Sequence, residues 1–187
     1  MTKELTLETL LNTCGGSGHT DGDYLKHHFA RFATTKAEFM STWDRNRGTR
    51  LLDIGAHWLH QCMLYALDGF DVTAVDLPAT FEFASVQKLA ADHQIKLVVN
   101  HDLSNPEGLR TLPDNSADVI LFTEIIEHIT FNPIAMWKEI YRIASPGARI
   151  LVTTPNYYAL RGRAWSWKRY CEGFGGGIDV LNILNTR

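Results

Sequence analysis

Four short stretches place acids or imidazoles where chemistry can be done. RLLDIGA (50–56) closes on Asp53-Ile54-Gly55-Ala56, and DVTAVDL (71–77) closes on Asp76-Leu77. KLVVNHD (96–102) ends at Asp102, followed by Leu103, and DVILFTEI (118–125) runs through Thr123-Glu124 into Ile126-Glu127-His128. A glycine at position 55 lets the backbone turn tightly and come close to a ligand. A carboxylate at Asp76 can accept from both hydroxyls of a ribose, more strongly than a neutral side chain would. Asp102 can accept from an exocyclic amine while Leu103 flanks a purine face. Glu124 and Glu127, three apart and beside His128, can hold a divalent cation or supply a general base. Their plain reading is that acids are favourable near a helix N-terminus.

The elements that must position these residues follow from the hydrophobic pattern. The four runs above, together with ARILVTTPN (148–156), are short, apolar and separated by helical stretches. Such strands imply a parallel sheet covered on both faces, so the spacing predicts five strands of a doubly wound α/β sheet. Helices are expected over HWLHQCMLYAL (57–67), FEFASVQKLAADH (81–93) and 133–144, the last begun by Pro133, with a turn at Ser145-Pro146-Gly147 before the fifth strand. In an open sheet of this kind ligands sit at the carboxyl ends of the strands, near the switch point between the first and fourth. All four acidic strand endings then face one site. Upstream, a Gly-rich connector (Cys14 to Asp23) precedes YLKHHFARFATTKAEFM, where Tyr24, His28, Phe32 and Phe39 fall at helical spacing. The expected organisation is an N-terminal helical cap, 1–48, followed by the sheet domain, 49–187.

Composition narrows the class. With 187 residues, 45% of them hydrophobic, the chain is one ordinary domain that buries about 70% of its unfolded surface. The charge balance, 18 Lys+Arg against 21 Asp+Glu, gives a net charge of −3. Nucleic-acid-binding domains usually carry a basic excess, so a nucleic-acid-coating role is disfavoured. Three scattered cysteines, Cys14, Cys62 and Cys171, form neither a disulfide framework nor a zinc ribbon and suit a reducing compartment. No window reaches the ~18 apolar residues of a membrane span, and MTKELTLETLLNT does not read as a signal peptide. A cytoplasmic protein is expected.

In order and spacing, LLDIGA, VTAVDLP, NHDL, LPDNSADVILFTEIIEHI and EIYRIASPGARILVTTPN resemble the class I S-adenosylmethionine-dependent methyltransferases, especially their small-molecule branch. The resemblance covers a little over half the chain. It implies a Rossmann-like fold and S-adenosyl-L-methionine as cofactor. Asp76 and Leu77 would hold the ribose, and Asp102 and Leu103 the adenine side. Asp53, Gly55 and Ala56, with His57 and Thr123 nearby, would face the methionine and ribose portion. The family's first motif usually carries three alternating glycines, whereas only Gly55 is present here, with His57 and Leu59 at the other two positions. That departure argues still more strongly against a nicotinamide dehydrogenase.

Glu124, Glu127 and His128 resemble the metal-binding EXXEH group of small-RNA 3′-terminal 2′-O-methyltransferases and of ubiquinone-pathway O-methyltransferases. A catalytic role toward the acceptor and a divalent metal are both implied, although acid-rich versions of this segment also occur in relatives without metal. His19, His27, His28, His57, His60 and His101 are further candidates to line a ligand. The aromatic and basic stretch 157–170 suits a lipid-linked or phosphorylated substrate, or simply a helix packed on the sheet. The 31 residues after Asn156 leave room for about one helix and one strand, so the family's sixth and seventh strands are expected to be incomplete and an exposed edge to invite a homodimer. Methyl transfer to a small-molecule, sugar or lipid-linked acceptor is the leading expectation. A non-catalytic binding protein of the same fold and a metal-assisted RNA-end methyltransferase stand as alternatives.

Overall fold

The computed structural model describes residues 5–16 and 22–156. His19, Cys171, the aromatic and basic stretch 157–170 and the strand expected near 178–184 lie outside the described residues. Helices α1 (Leu7–Gly16) and α2 (Gly22–Thr42) precede the sheet. Then come β1 (Arg50–Ile54), α3 (His60–Ala66), β2 (Asp71–Asp76), α4 (Pro78–Phe81), α5 (Ala84–Asp92) and β3 (Lys96–Val99). The described chain closes with α6 (Glu107–Arg110), β4 (Ala117–Thr123), α7 (Ile134–Ile143) and β5 (Ala144–Thr153).

All five strands pair in parallel in the order β3-β2-β1-β4-β5. The direction of winding reverses between β1 and β4, as expected for a doubly wound Rossmann-like sheet. Successive strand residues alternate between two cores. Leu51, Val72, Ala74, Val119 and Leu121 face helices α1 to α5, sharing that core with Leu10, Leu25, Phe32 and Phe39 of the N-terminal helices. Leu52, Ile54, Val75, Ile120 and Phe122 face Leu109 of α6 and Met136, Ile140 and Ile143 of α7. Because both faces are covered, β4 is buried along nearly its whole length, which explains its unbroken apolar sequence.

The expected five strands are present, with local corrections. The helix expected over 81–93 begins only at Ala84, because the backbone is extended at Phe83, and the short α4 (Pro78–Phe81) precedes it. α3 begins at His60, later than expected, because His57 and Leu59 adopt left-handed backbone conformations that no helix accommodates. The Ser145-Pro146-Gly147 turn lies inside β5: pairing begins at Ala144 opposite Ala117 and resumes at Arg149 opposite Val119. The turn is therefore an irregularity within the strand. The Gly-rich connector is shorter than expected, since α1 runs through Cys14 to Gly16 and α2 starts at Gly22.

Opposite the carboxyl ends, one buried acid ties the strands together. Asp118 accepts the Arg50 backbone N–H at 3.0 Å and its guanidinium at 2.9 and 2.6 Å, and Ser145 Oγ donates to it at 2.8 Å. The Arg50 guanidinium holds the Asp118 carboxyl below its ordinary range. Among the described residues no helix is long and apolar enough to cross a membrane.

Candidate cofactor and acceptor site

A cavity of about 460 Å³ opens at the carboxyl ends of the strands, between the β1 and β4 ends and under α2. The first strand ending supplies Asp53, Gly55, Ala56 and His57 to its wall, and the second supplies Asp76 and Leu77. Asp102 and Leu103 line it after β3, and Thr123, Glu124 and His128 after β4. The fold thus brings the four stretches together. Glu127 is the exception among the expected site residues, because it does not line the cavity.

Asp76 organises the second strand ending. Its Oδ2 accepts the His57 N–H at 2.6 Å, while Oδ1 accepts the Leu77 N–H at 2.7 Å and the Thr80 hydroxyl at 2.9 Å. A carboxylate offers about four acceptor positions, so three protein donors leave about one free. Asp53 is fully buried on β1, and its Oδ2 accepts the Cys62 thiol at 3.1 Å. Burial pushes its carboxyl up to about 7, opposed by the Cys62 hydrogen bond and reinforced by the charge of Asp76. Asp102 is exposed and bound by the hydroxyl and N–H of Ser104, which hold it below the usual carboxylate range.

The turn after β1 takes a left-handed path with one glycine, Gly55, in place of the three expected. Gly55 has φ +81°, and a Cβ there would collide with Ile125 Cδ1. The close approach that demands glycine is therefore to Ile125, itself a wall of the cavity. His57 (φ 48°) and Leu59 (φ 66°) stand where two further glycines were expected, and both retain the left-handed backbone that glycine suits. The turn path survives with side chains attached.

The expected Glu124, Glu127 and His128 cluster does not assemble. Glu124 Oε2 pairs with Arg31 of α2 at 2.7 Å, and its Oε1 accepts the Thr153 hydroxyl at 2.9 Å. His128 ends a short 3-10 turn, Ile126–His128, and is exposed at the cavity mouth. Glu124 stands before that turn at φ 57°, with both carboxylate oxygens engaged by Arg31 and Thr153, so it does not share a helical face with Glu127 and His128. Among the described residues no group of three or more His, Cys, Asp or Glu is placed to hold a metal ion.

Sequence reasoning passed over Arg31, Gln61, Asn100 and Phe131, all of which line the cavity. Gln61 is buried, accepts the Thr123 hydroxyl through Oε1 at 3.0 Å, and leaves Nε2 without a partner. Asn100 Oδ1 accepts the Gly108 N–H at 2.8 Å, and Nδ2 is likewise unpartnered. With Asp53 Oδ1, these form one buried acceptor and two buried donors on a cavity wall. Buried polar groups are normally satisfied, so these three fit a ligand that carries both acceptors and donors. S-adenosylmethionine, with its ribose, ammonium, carboxylate and adenine, has that character. His27 and His28 do not line the cavity, but Tyr24 does, with its ring 4.3 Å from that of His28. Partial burial, Arg31 and His27 hold His28 below the usual imidazole range.

Comparison with known proteins agrees with this geometry. A family model described as "Methyltransferase domain" matches residues 24–183. A phosphoethanolamine N-methyltransferase of Triticum aestivum is 29% identical over 122 residues, covering 64% of this chain and 23% of its own. The chain therefore spans about a quarter of that relative's length. Among solved structures, a Pyrococcus horikoshii protein superimposes with a TM-score of 0.57 at 17% identity, over 78% of this chain and 62% of its own. A SAM-dependent methyltransferase from Archaeoglobus fulgidus gives 0.51 at 20% identity, over 88% and 74%. One from Mesorhizobium loti gives 0.51 at 18%, over 63% and 51%. At these identities the structures speak to the fold, while the family model spans most of the chain. The chain belongs to the methyltransferase-domain family, within the class I S-adenosylmethionine-dependent methyltransferases.

Proposed function

We propose that this protein binds S-adenosylmethionine in the cavity and transfers its methyl group to a small-molecule, sugar or lipid-linked acceptor. The observation that carries the reading is the run of unsatisfied polar positions along one wall: Asp53 Oδ1, Gln61 Nε2, Asn100 Nδ2 and the remaining acceptor position on Asp76. When bound, the cofactor supplies an electrophilic methyl group on a sulfonium centre. Asp76 holds one ribose hydroxyl directly, and the Thr80 hydroxyl can rotate away to admit the second. Asp102 and Leu103 take the adenine side, and Asp53 with Gln61 faces the methionine portion. Leu77, Ala56 and Thr123 complete the walls that keep the ligand in register. Catalysis here rests mainly on proximity and alignment. His128, which lines the cavity, takes the acceptor's proton in this reading and passes it to solvent. Glu124 orients the acceptor from the β4 end. Glu127, outside the cavity lining, has no part in this reading.

Titration calorimetry with S-adenosylhomocysteine tests the reading. Micromolar binding that disappears in Asp76→Ala is expected. No binding to the folded wild type sinks it and favours the alternative of a non-catalytic binding protein. That alternative draws on His57 and Leu59 standing where glycines were expected, yet their left-handed backbone keeps the turn open in path. Pairing of two copies through a sheet edge forms part of the same reading. A monomer mass by light scattering removes it.

A further inference from the structure

Arg31 is the one Lys or Arg among the described residues lining the cavity, against four carboxylates: Asp53, Asp76, Asp102 and Glu124. On the reading above, the first three belong to the cofactor end. Arg31 and Glu124 are left as a matched pair of opposite charges on the acceptor side. The pair bridges two elements, with Arg31 on α2 and Glu124 just past β4, 2.7 Å apart and with side chains 34% and 20% exposed. Partly exposed ion pairs contribute only about 0–1 kcal/mol, so parting this one for a ligand costs little. Glu124 also sits at φ 57°. A non-glycine residue there costs about 1–3 kcal/mol and is a hallmark of functional sites. Thr153 fixes its Oε1, so Oε2 alone turns toward Arg31.

The same cavity is lined in part by rings packed on one another. The Tyr24 ring is 4.8 Å from His57, 5.5 Å from Trp58 and 5.8 Å from His60, and Tyr24, His57 and His60 all line the cavity. We infer that the acceptor is a zwitterionic amine: its anionic group binds the Arg31 fork and its ammonium binds Glu124 Oε2, losing its proton before the freed nitrogen lone pair takes the methyl group and S-adenosylhomocysteine leaves. The inference deepens the methyltransferase reading and rests on it. A phosphate and a carboxylate both suit the guanidinium. The shared chemistry is an anion a few bonds from an amine.

The test is calorimetry on the full chain, with and without saturating S-adenosylhomocysteine. The probes are phosphoethanolamine, glycine, ethanolamine and inorganic phosphate. One zwitterion is expected to bind at least about tenfold more tightly than ethanolamine or phosphate alone. The stronger of phosphoethanolamine and glycine identifies the anion. Arg31→Gln should reduce the zwitterion to the affinity of ethanolamine, and Glu124→Gln to that of the lone anion. Arg31→Lys, which keeps the charge and loses the fork, should fall between. S-adenosylhomocysteine affinity should stay within about twofold throughout. Zwitterions binding no better than their halves overturn the inference. So does Arg31→Gln weakening S-adenosylhomocysteine instead, which would assign Arg31 to the cofactor carboxylate. If the wild type binds zwitterions but no S-adenosylhomocysteine, the methyltransferase reading fails while the charge pair stands as a zwitterion site.

Discussion

Asp76 Oδ2 accepts the backbone N–H of His57 at 2.6 Å, so the acid that ends β2 clamps the left-handed turn that follows β1. One side chain thereby does two things: it fixes the path of the first turn and presents a free acceptor position to the cavity. Asp76→Ala should abolish measurable S-adenosylhomocysteine binding and also loosen the turn, at a cost of about 1–3 kcal/mol for the N–H groups left unpaired. Asp76→Asn keeps an acceptor for the turn and should recover most of the stability with little of the binding. Urea melts and calorimetry on both variants separate the two roles. Equal stability in all three proteins would show that the clamp carries no load.

His57 and Leu59 share a left-handed backbone and differ in burial, Leu59 being fully buried and His57 part-exposed. Left-handed strain costs about 1–2 kcal/mol in an L-residue. His57→Gly removes it but adds about 0.5–1 kcal/mol of unfolded-chain entropy, so stability should change by under about 1 kcal/mol. With the imidazole gone from the cavity wall, S-adenosylhomocysteine should bind several-fold more tightly. Leu59→Gly relieves the same strain but empties a core position, and should lose about 2–4 kcal/mol. Denaturation of the two variants side by side is the check. Similar losses at both sites would refute the assignment of strain to the backbone.

The strand endings were legible because each acid follows an apolar run, and a parallel sheet carries all such endings to one edge. Asp53, Asp76, Asp102 and Glu124, with Thr123 beside the last, reach the cavity wall this way. What local pattern does not encode is contact across distance. Gln61 meets Thr123 from 62 positions away, and Arg31 reaches Glu124 from the far side of the first strand. The position of Glu127 off the cavity lining is hidden for a different reason: the chain changes conformation between Glu124 and the 3-10 turn that holds Glu127, so their three-residue spacing does not fix a shared face. The positive φ values at His57 and Leu59 were hidden too, since neither residue type announces a left-handed turn. The start of β5 is hidden in the sequence, because Pro146 and Gly147 signal a turn even where pairing continues on both sides of it.

Away from the cavity, Arg50 and Asp118 join β1 to β4. Asp118 is buried and Arg50 is half exposed, so removing the arginine leaves a buried carboxylate with the Arg50 backbone N–H and Ser145 as its remaining donors. Arg50→Ala should cost about 1–3 kcal/mol. Since the native Asp118 carboxyl titrates below its ordinary value, its contribution is fully present above that value. It is lost as the pH falls through the native one. The gap between wild type and Asp118→Asn should therefore narrow in acid. A gap constant from pH 6 to about pH 3 would remove the pair from the stability of the fold.

Asp53 should behave with the opposite sign. Burial raises its carboxyl to about 7, whereas an unfolded chain ionises it near the ordinary value of about 3.9. Between these values the folded protein holds a proton that the unfolded chain has lost. Stability from this group therefore declines as pH rises from about 4 to about 7, and the penalty is complete above that. Asp53→Asn removes the ionisation while keeping the shape. Relative to it, the wild type should be more stable at pH 5 than at pH 8, as read from urea midpoints. A ligand that brings an ammonium to Asp53 favours the ionised form and must expel the proton. S-adenosylhomocysteine binding near pH 6 should then release protons, visible as a binding heat that depends on the buffer's ionisation enthalpy, and the release should vanish in Asp53→Asn. Heats independent of buffer in both proteins would mean that the ammonium lies elsewhere, and that Asp53 serves the core through Cys62 alone.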